Sequence, residues 1–334
     1  MSKINQNIIS SRLFLAVAIL SVALIVTLAL SISQGAVPMS LSDIWQALLH
    51  KGDPLKQTIV WDLRIPRIMA SMLVGAALGM SGALLQGMLR NSLASPFILG
   101  ISAGAGLVTV AMIVLELWTA WIPLAAWLGA IFTAITVIFL GRGQGGIRVE
   151  KLILGGVAIS SLLGALQSTL LLLAEDGRVQ QALNWLIGSL NGRGWNEVKV
   201  AAPYMLVALV AGCLLARWVN VLALGDDLAV GLGVSLVRSR ILIGAVATLL
   251  AAGAVSIAGL IGFVGLVVPH GVRLLVGTDY RLCLPLSALG GAWLLTFADL
   301  LSRLGAVELP VGAVTALLGS PLFIWLLYRR SGTV

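Results

Sequence analysis

A chain of 334 residues that is 59% hydrophobic and only 10% charged, with a mean hydropathy of +1.06, has too little polar surface for a water-soluble globule and reads as a polytopic membrane protein. Two cysteines in apolar surroundings, Cys213 and Cys283, and two histidines, His50 and His270, exclude a disulfide framework and most metal cages. The net charge of +8 does not point to nucleic acid, because the larger share of the 21 lysines and arginines falls in loops on one side of the membrane; the positive-inside bias makes that side, with both termini, cytoplasmic.

Apolar length and breaker residues predict ten spans, near 12–34, 66–88, 96–115, 118–140, 150–173, 196–218, 238–260, 263–277, 282–304 and 310–328. The fold class is therefore all-α, with about ten transmembrane helices in a single domain over 1–334. The apolar run 13–32 is longer than a signal-peptide core and is expected to stay as the first helix. Outside it, 34–62 holds a short amphipathic piece with Leu41, Ile44, Trp45 and Leu48 on a helical period. Arg64 and Arg67 then flank Pro66 at the outer mouth of the second span, against the charge bias, and snorkelling to lipid phosphate is one reading of them.

Within the second span Ser71, Gly75, Gly79 and Gly82 form a small-residue stripe ending at Gln86, and Gly100 with Gly104 repeats the pattern in the third; such stripes let helix backbones approach closely. Arg90 and Asn91 make an inside turn before Pro96. The inside loop 141–151, GRGQGGIRVEK, is glycine-rich and basic, but neither it nor any other segment carries GxxxxGK[ST], so ATP must be handled by a partner and no bound cofactor is expected in this chain. In the fifth span Gly156, Ser160, Gly164 and Ser168 share one face, with Ser161 and Gln167 alongside. That face suits either helix packing or the wall of a wide, weakly binding pathway. The stretch 174–195 places Glu175, Asp176, Arg178 and Arg193 around the apolar run 182–190, too short to cross, and is expected as a re-entrant or surface helix on the outer side.

The island 221–240, VLALGDDLAVGLGVSLVRSR, is charged and punctuated by glycine between two long apolar segments. Asp226 is expected to cap a short helix with Asp227 in its first turn, and Gly231 and Gly233 to end it. Leu224, Leu228 and Leu232 give it one apolar face, suited to a membrane surface or to a docking partner. Glycines and Pro269 within 259–270 predict a short, broken eighth span, with His270 a satisfied histidine near the break rather than a metal ligand. Asp299 sits four residues before Arg303, the better orientation for an ion pair. Glu308 and Pro310 form the last outside turn, and Arg329 with Arg330 anchors the C-terminus inside. No nucleophile with a base, carboxylate pair or histidine cluster offers catalysis, so the chain reads as a non-enzyme. An ion-coupled secondary transporter is the alternative of another class, and the confinement of charge to span ends counts against it.

Five blocks in order carry a resemblance: RIPR at 64–67, GAALGMSGALLQGMLRNSLASPFILGISAGAG at 75–106, ALGDD at 223–227, GFVGLVVPH at 262–270 and ELPVGAVTALLGSP at 308–321. With them the chain resembles the FecCD-type permeases, membrane subunits of the bacterial ABC importers for ferric siderophores, haem and cobalamin. The resemblance implies a type II ABC importer permease fold and ATP-driven import of an iron chelate across the bacterial inner membrane. The string NWLIGSLNGRGW lies nearer the siderophore branch, with haem and cobalamin the alternatives. It implies a second permease subunit, identical or paralogous, two cytoplasmic ATPases that hold ATP and Mg, and a periplasmic or lipid-anchored binding protein. By the same resemblance Arg64, Arg67 and Arg303 meet acidic side chains of that binding protein, a task that suits a permanently charged, two-pronged donor. Leu224, Gly225, Asp226, Asp227, Leu228, Gly231 and Gly233 would couple to the ATPase. Ser160, Ser161, Gly164, Gln167 and Ser168 would line the pathway at a dimer axis, and 141–151 would help to shut its cytoplasmic end.

Overall fold

Every predicted span contains a helix in the computed structural model, which describes residues 3–331 apart from 36, 144, 145 and 306, and the backbone alone for 3–12, 119, 146 and 325–331. Gln144 and Gly145 of the glycine-rich loop thus lie outside the described residues, as do the side chains of Arg329 and Arg330. In chain order the helices are α1 (Lys3–Ser33), α2 (Leu41–Leu48), α3 (Pro54–Thr58), α4 (Ile65–Met88), α5 (Ile101–Val114), α6 (Ile122–Leu140), α7 (Val149–Leu172) and α8 (Asp176–Ile187). There follow α9 (Trp195–Leu214), α10 (Ala216–Ala223), α11 (Asp226–Gly231), α12 (Leu236–Ala258), α13 (Val264–Val276), α14 (Tyr280–Ser302) and α15 (Val311–Ser331). Seven are long and apolar enough to cross a bilayer; α5, α13 and the described part of α15 are shorter apolar helices.

The core is α4 packed between α12 and α14. Gly75 faces Gly291, and Gly79 faces Ser287, so closely that a Cβ on either glycine of α4 would enter the opposing carbonyl oxygen; Gly82 meets the carbonyl of Gly265 in the same way. The small-residue stripe therefore does what lipid cannot, bringing backbones into contact without a hydrophobic drive. Polar bonds reinforce the seam: Ser71 and Thr296 hydroxyls lie 2.9 Å apart, and the Ser81 hydroxyl donates to the Ala247 carbonyl at 2.7 Å.

The structure departs from the predicted boundaries where backbone chemistry intervenes. The third span opens with a 3-10 turn, Pro96–Leu99, and Gly100 at φ +72 redirects the chain before α5 begins. The sixth span ends at Leu214, and α10 turns aside as a separate amphipathic helix that buries Val219 and Leu222; Asn220 donates to Asp279 at 2.7 Å, fastening it to the start of α14. Helix α8 starts at Asp176, earlier than the apolar run 182–190, and its end is tied to its neighbours by Ser189 N–H to Ala258 carbonyl (2.8 Å) and Gly312 N–H to Gly188 carbonyl (3.1 Å). The eighth span is broken as expected: residues 259–263 are non-helical, with Phe263 at φ +66, and α13 has 13 residues. Gln86 stitches the break, donating to the carbonyls of Ala94 and Gly265 at 3.1 and 3.2 Å while accepting from Arg273 at 2.6 Å.

Helix α2 occupies the bounds its period predicts, with a capping box in which Ser40 and Asp43 satisfy each other's backbone. Lys56, 2.7 Å from Asp43, and Ser40 hold the Asp43 carboxyl down at about 2. Ile44 and Ala47 are buried while Leu41 and Trp45 stay exposed.

Candidate functional site

Three places on the bundle gather the residues singled out by the sequence. The first lies where α4 begins and α14 ends. Asp299, fully buried on α14, accepts from Arg67 Nε at 2.9 Å and Nη2 at 2.8 Å, and Arg303 Nη2 stands 3.2 Å from its other oxygen. Arg67 Nη2 also donates to Glu308 at 2.5 Å. Arg64, at the π-type turn Ile59–Arg64 that leads into α4, is 6% exposed and donates to the carbonyls of Ile32 and Val37. The expected pair Asp299–Arg303 thus exists, but its main grip is on Arg67, which no local spacing could have shown. Arg64, Arg67 and Arg303, which the resemblance implies meet a partner's carboxylates, are engaged within the chain in this conformation. Their guanidinium groups are turned inward and spent on Asp299, Glu308 and backbone carbonyls, because an arginine in an apolar layer must find internal acceptors.

The second place is the free face of α7. Only 11% of its apolar window is buried, against 78% for the long segment that contains α4. The stripe seen in the sequence divides in two. Gly156 packs on the carbonyl of Ile98, and Ser160 and Gln167 are half-buried beside α5, with Gln167 over Gly106. Ser161 and Ser168 are exposed, and a Cβ at Gly164 would meet nothing within 4 Å. Ser161, Gly164 and Ser168 therefore belong to an open surface, and Gly156 to packing.

The third is the island. Helix α11 spans six residues, Asp226–Gly231, and Gly225 at φ +117 occupies the position before it, so Asp226 is its first helical residue and not its cap. The Asp226 carboxylate is drawn away by Arg240 Nη2, at 2.7 and 2.9 Å to its two oxygens, with Arg90 at 3.7 Å. Asp227 shares the first turn, Gly231 closes the helix, and Gly233 at φ +80 takes the left-handed turn that follows. Leu228 is 59% exposed, and Leu224, Val230 and Leu232 are exposed with it. The short helix, tied to Arg240 and Arg90 through Asp226, thus leaves an apolar knob uncovered in the chain alone. The grip of Arg240 and Arg90 on Asp226 spans 14 and 136 residues along the chain, beyond the reach of local spacing. Ser235 caps α12, so that Arg238 and Arg240 belong to that helix rather than to a loop.

The described residues hold no group of three or more histidine, cysteine or carboxylate side chains able to bind a metal, and His270 is buried within α13. Residues 23–329 match the FecCD transport family. The cobalamin import system permease protein BtuC of Halobacterium salinarum is 43% identical over 308 residues, covering 91% of this chain and 83% of that one. The Fe(3+)-citrate import system permease protein YfmD of Bacillus subtilis is 38% identical over 325 residues, with 95% of each covered. Among solved structures, an inward-facing conformation of a metal-chelate type ABC transporter superposes with a TM-score of 0.84 at 30% identity, covering 93% of this chain and 97% of that one.

Proposed function

The chain belongs to the FecCD transport family, and from that premise we propose that it is the permease of an ATP-driven importer that passes a ferric siderophore inward through the cytoplasmic membrane. It is a multi-pass membrane protein of the ABC permease class, whose ATP hydrolysis resides in separate subunits. The observation that carries the importer reading is α11: a short helix held by ion pairs, with Leu228 and Val230 exposed on it and Leu224 and Leu232 exposed beside it, in a chain that lacks any nucleotide-binding loop of its own. Under this reading α11 is cytoplasmic and sits in a cleft of the ATPase, both termini share its side, and the arginine cluster is outward. Docking of a binding protein there would require a carboxylate from the partner to replace Glu308, the exposed member of the cluster, on Arg67. The open face of α7 is the pathway wall, completed by a second permease subunit.

Placing a charge on the knob tests the reading. The double variant Leu228→Glu, Leu232→Glu is expected to reduce copurification of the ATPase at least tenfold while the permease stays monodisperse in detergent. Undiminished copurification would overturn the assignment.

Cobalamin is the second reading, favoured by the 43% identity to a cobalamin permease. Uptake into proteoliposomes holding the full transporter, with a ferric hydroxamate siderophore, haem and cyanocobalamin as separate probes, is expected to show ATP-dependent accumulation of the siderophore at least tenfold above the other two. Preferential cyanocobalamin uptake would reverse the choice.

A further inference from the structure

Arg240 lies on the second turn of α12 and is 3% exposed. Its Nη2 holds both oxygens of Asp226 on α11, and its Nη1 donates to the carbonyl of Ile147 at 2.6 Å. Ile147 is itself buried and ends a minimal hairpin, Arg142–Gly143 paired with Gly146–Ile147, that leads within two residues into α7. One guanidinium therefore bridges two segments far apart in sequence: the helix with the exposed apolar knob, and the connection that delivers the helix with the open face.

The bridge is stiff for chemical reasons. A guanidinium is planar with its donors in fixed directions, and charge-assisted bonds to it are the stronger kind. Its Nε has no acceptor, so the guanidinium is held among the described residues by Asp226 and Ile147. A displacement of α11 must either draw Ile147 along or leave a buried charge unpaired, and the second course is costly. A polar cavity lined by Arg90, Ile147, Arg148, Glu150, Asp226 and Arg240 adjoins the bridge, leaving space for the hairpin to shift. A lysine could hold only one of the two acceptors firmly, being a point charge on a flexible stem.

We propose that Arg240 is the positioning residue that transmits movement of α11 to the hairpin and so to the start of α7. The proposal rests on the reading of α11 as the surface gripped by the ATPase.

Hydrogen–deuterium exchange on the assembled transporter tests it without a transported ligand, by comparing the nucleotide-free state with the state trapped by Mg-ADP and vanadate. In the wild type, the peptide 141–151 is expected to change its exchange between the two states. In Arg240→Gln the change at 141–151 is expected to fall at least fivefold, although the ATPase still copurifies. Arg240→Lys, which retains the charge without the fork, is expected to lose more than half of it. If Arg240→Gln does not fold, Asp226→Asn removes only the α11 side of the bridge and should give the same loss. A full-sized response at 141–151 in the variants overturns the proposal. Normal ATPase copurification with Leu228→Glu, Leu232→Glu defeats the underlying reading instead, so the two failures are told apart.

Discussion

Asp299→Asn is expected to destabilise the protein by about 3–5 kcal/mol, the usual cost of removing one partner from a buried ion pair, with thermal unfolding in detergent as the measurement. The carboxylate is fully buried and is the shared counter-charge of Arg67 and Arg303, whose side chains are only 12% and 10% exposed. Asparagine preserves shape and one acceptor but leaves two guanidinium groups facing each other in an apolar layer. Glu308→Gln supplies the contrast. Its side chain is 32% exposed and serves one of the same arginines, so solvent can compensate, and the loss should stay below about 1 kcal/mol. Equal effects of the two substitutions would mean that Asp299 is not the centre of the cluster.

Gly79→Ala and Gly82→Ala are expected to be nearly as damaging, although each adds a single methyl group. Overpacking in a well-filled interior costs about 1–3 kcal/mol when side chains can yield. Here the obstacle is backbone, the carbonyls of Ser287 and Gly265, and cannot rotate away. Helices α4, α13 and α14 would have to separate along their length, so aggregated or poorly expressed protein is the expected outcome by size-exclusion chromatography. Gly164→Ala, on the open face of α7, meets nothing within 4 Å and should behave as the wild type. An unchanged elution profile for Gly79→Ala and Gly82→Ala would show that the seam can relax.

The positions and order of the apolar helices were legible in the sequence because bilayer thickness imposes a length on a crossing segment. Helix α2 was legible to the residue, since its period and its Ser40–Asp43 cap are both local signals. The break near Phe263 was signalled by glycine and proline. What escaped the sequence depended on distant partners. Asp226 has the composition of a helix cap, yet Arg240 claims its carboxylate and Gly225 takes the capping position. The resemblance implies that Arg64 and Arg67 reach outward to a partner, and the sequence offered no sign that the carbonyls of Ile32 and Val37 and the carboxylate of Asp299 hold them within the chain. The glycine stripes could be recognised as contact surfaces, whereas their partners, Gly291 and Gly265, could not be chosen among 38 glycines without coordinates.

The seam between α4 and α14 has a kinematic consequence. Sliding of packed helices proceeds by small adjustments of interdigitated side chains, and at Gly75, Gly79 and Gly291 there are no side chains to adjust. The two helices are therefore geared together as a fixed post. Relative movement of the described helices is expected at irregular joints such as Gly100 and the 259–263 break rather than along this seam.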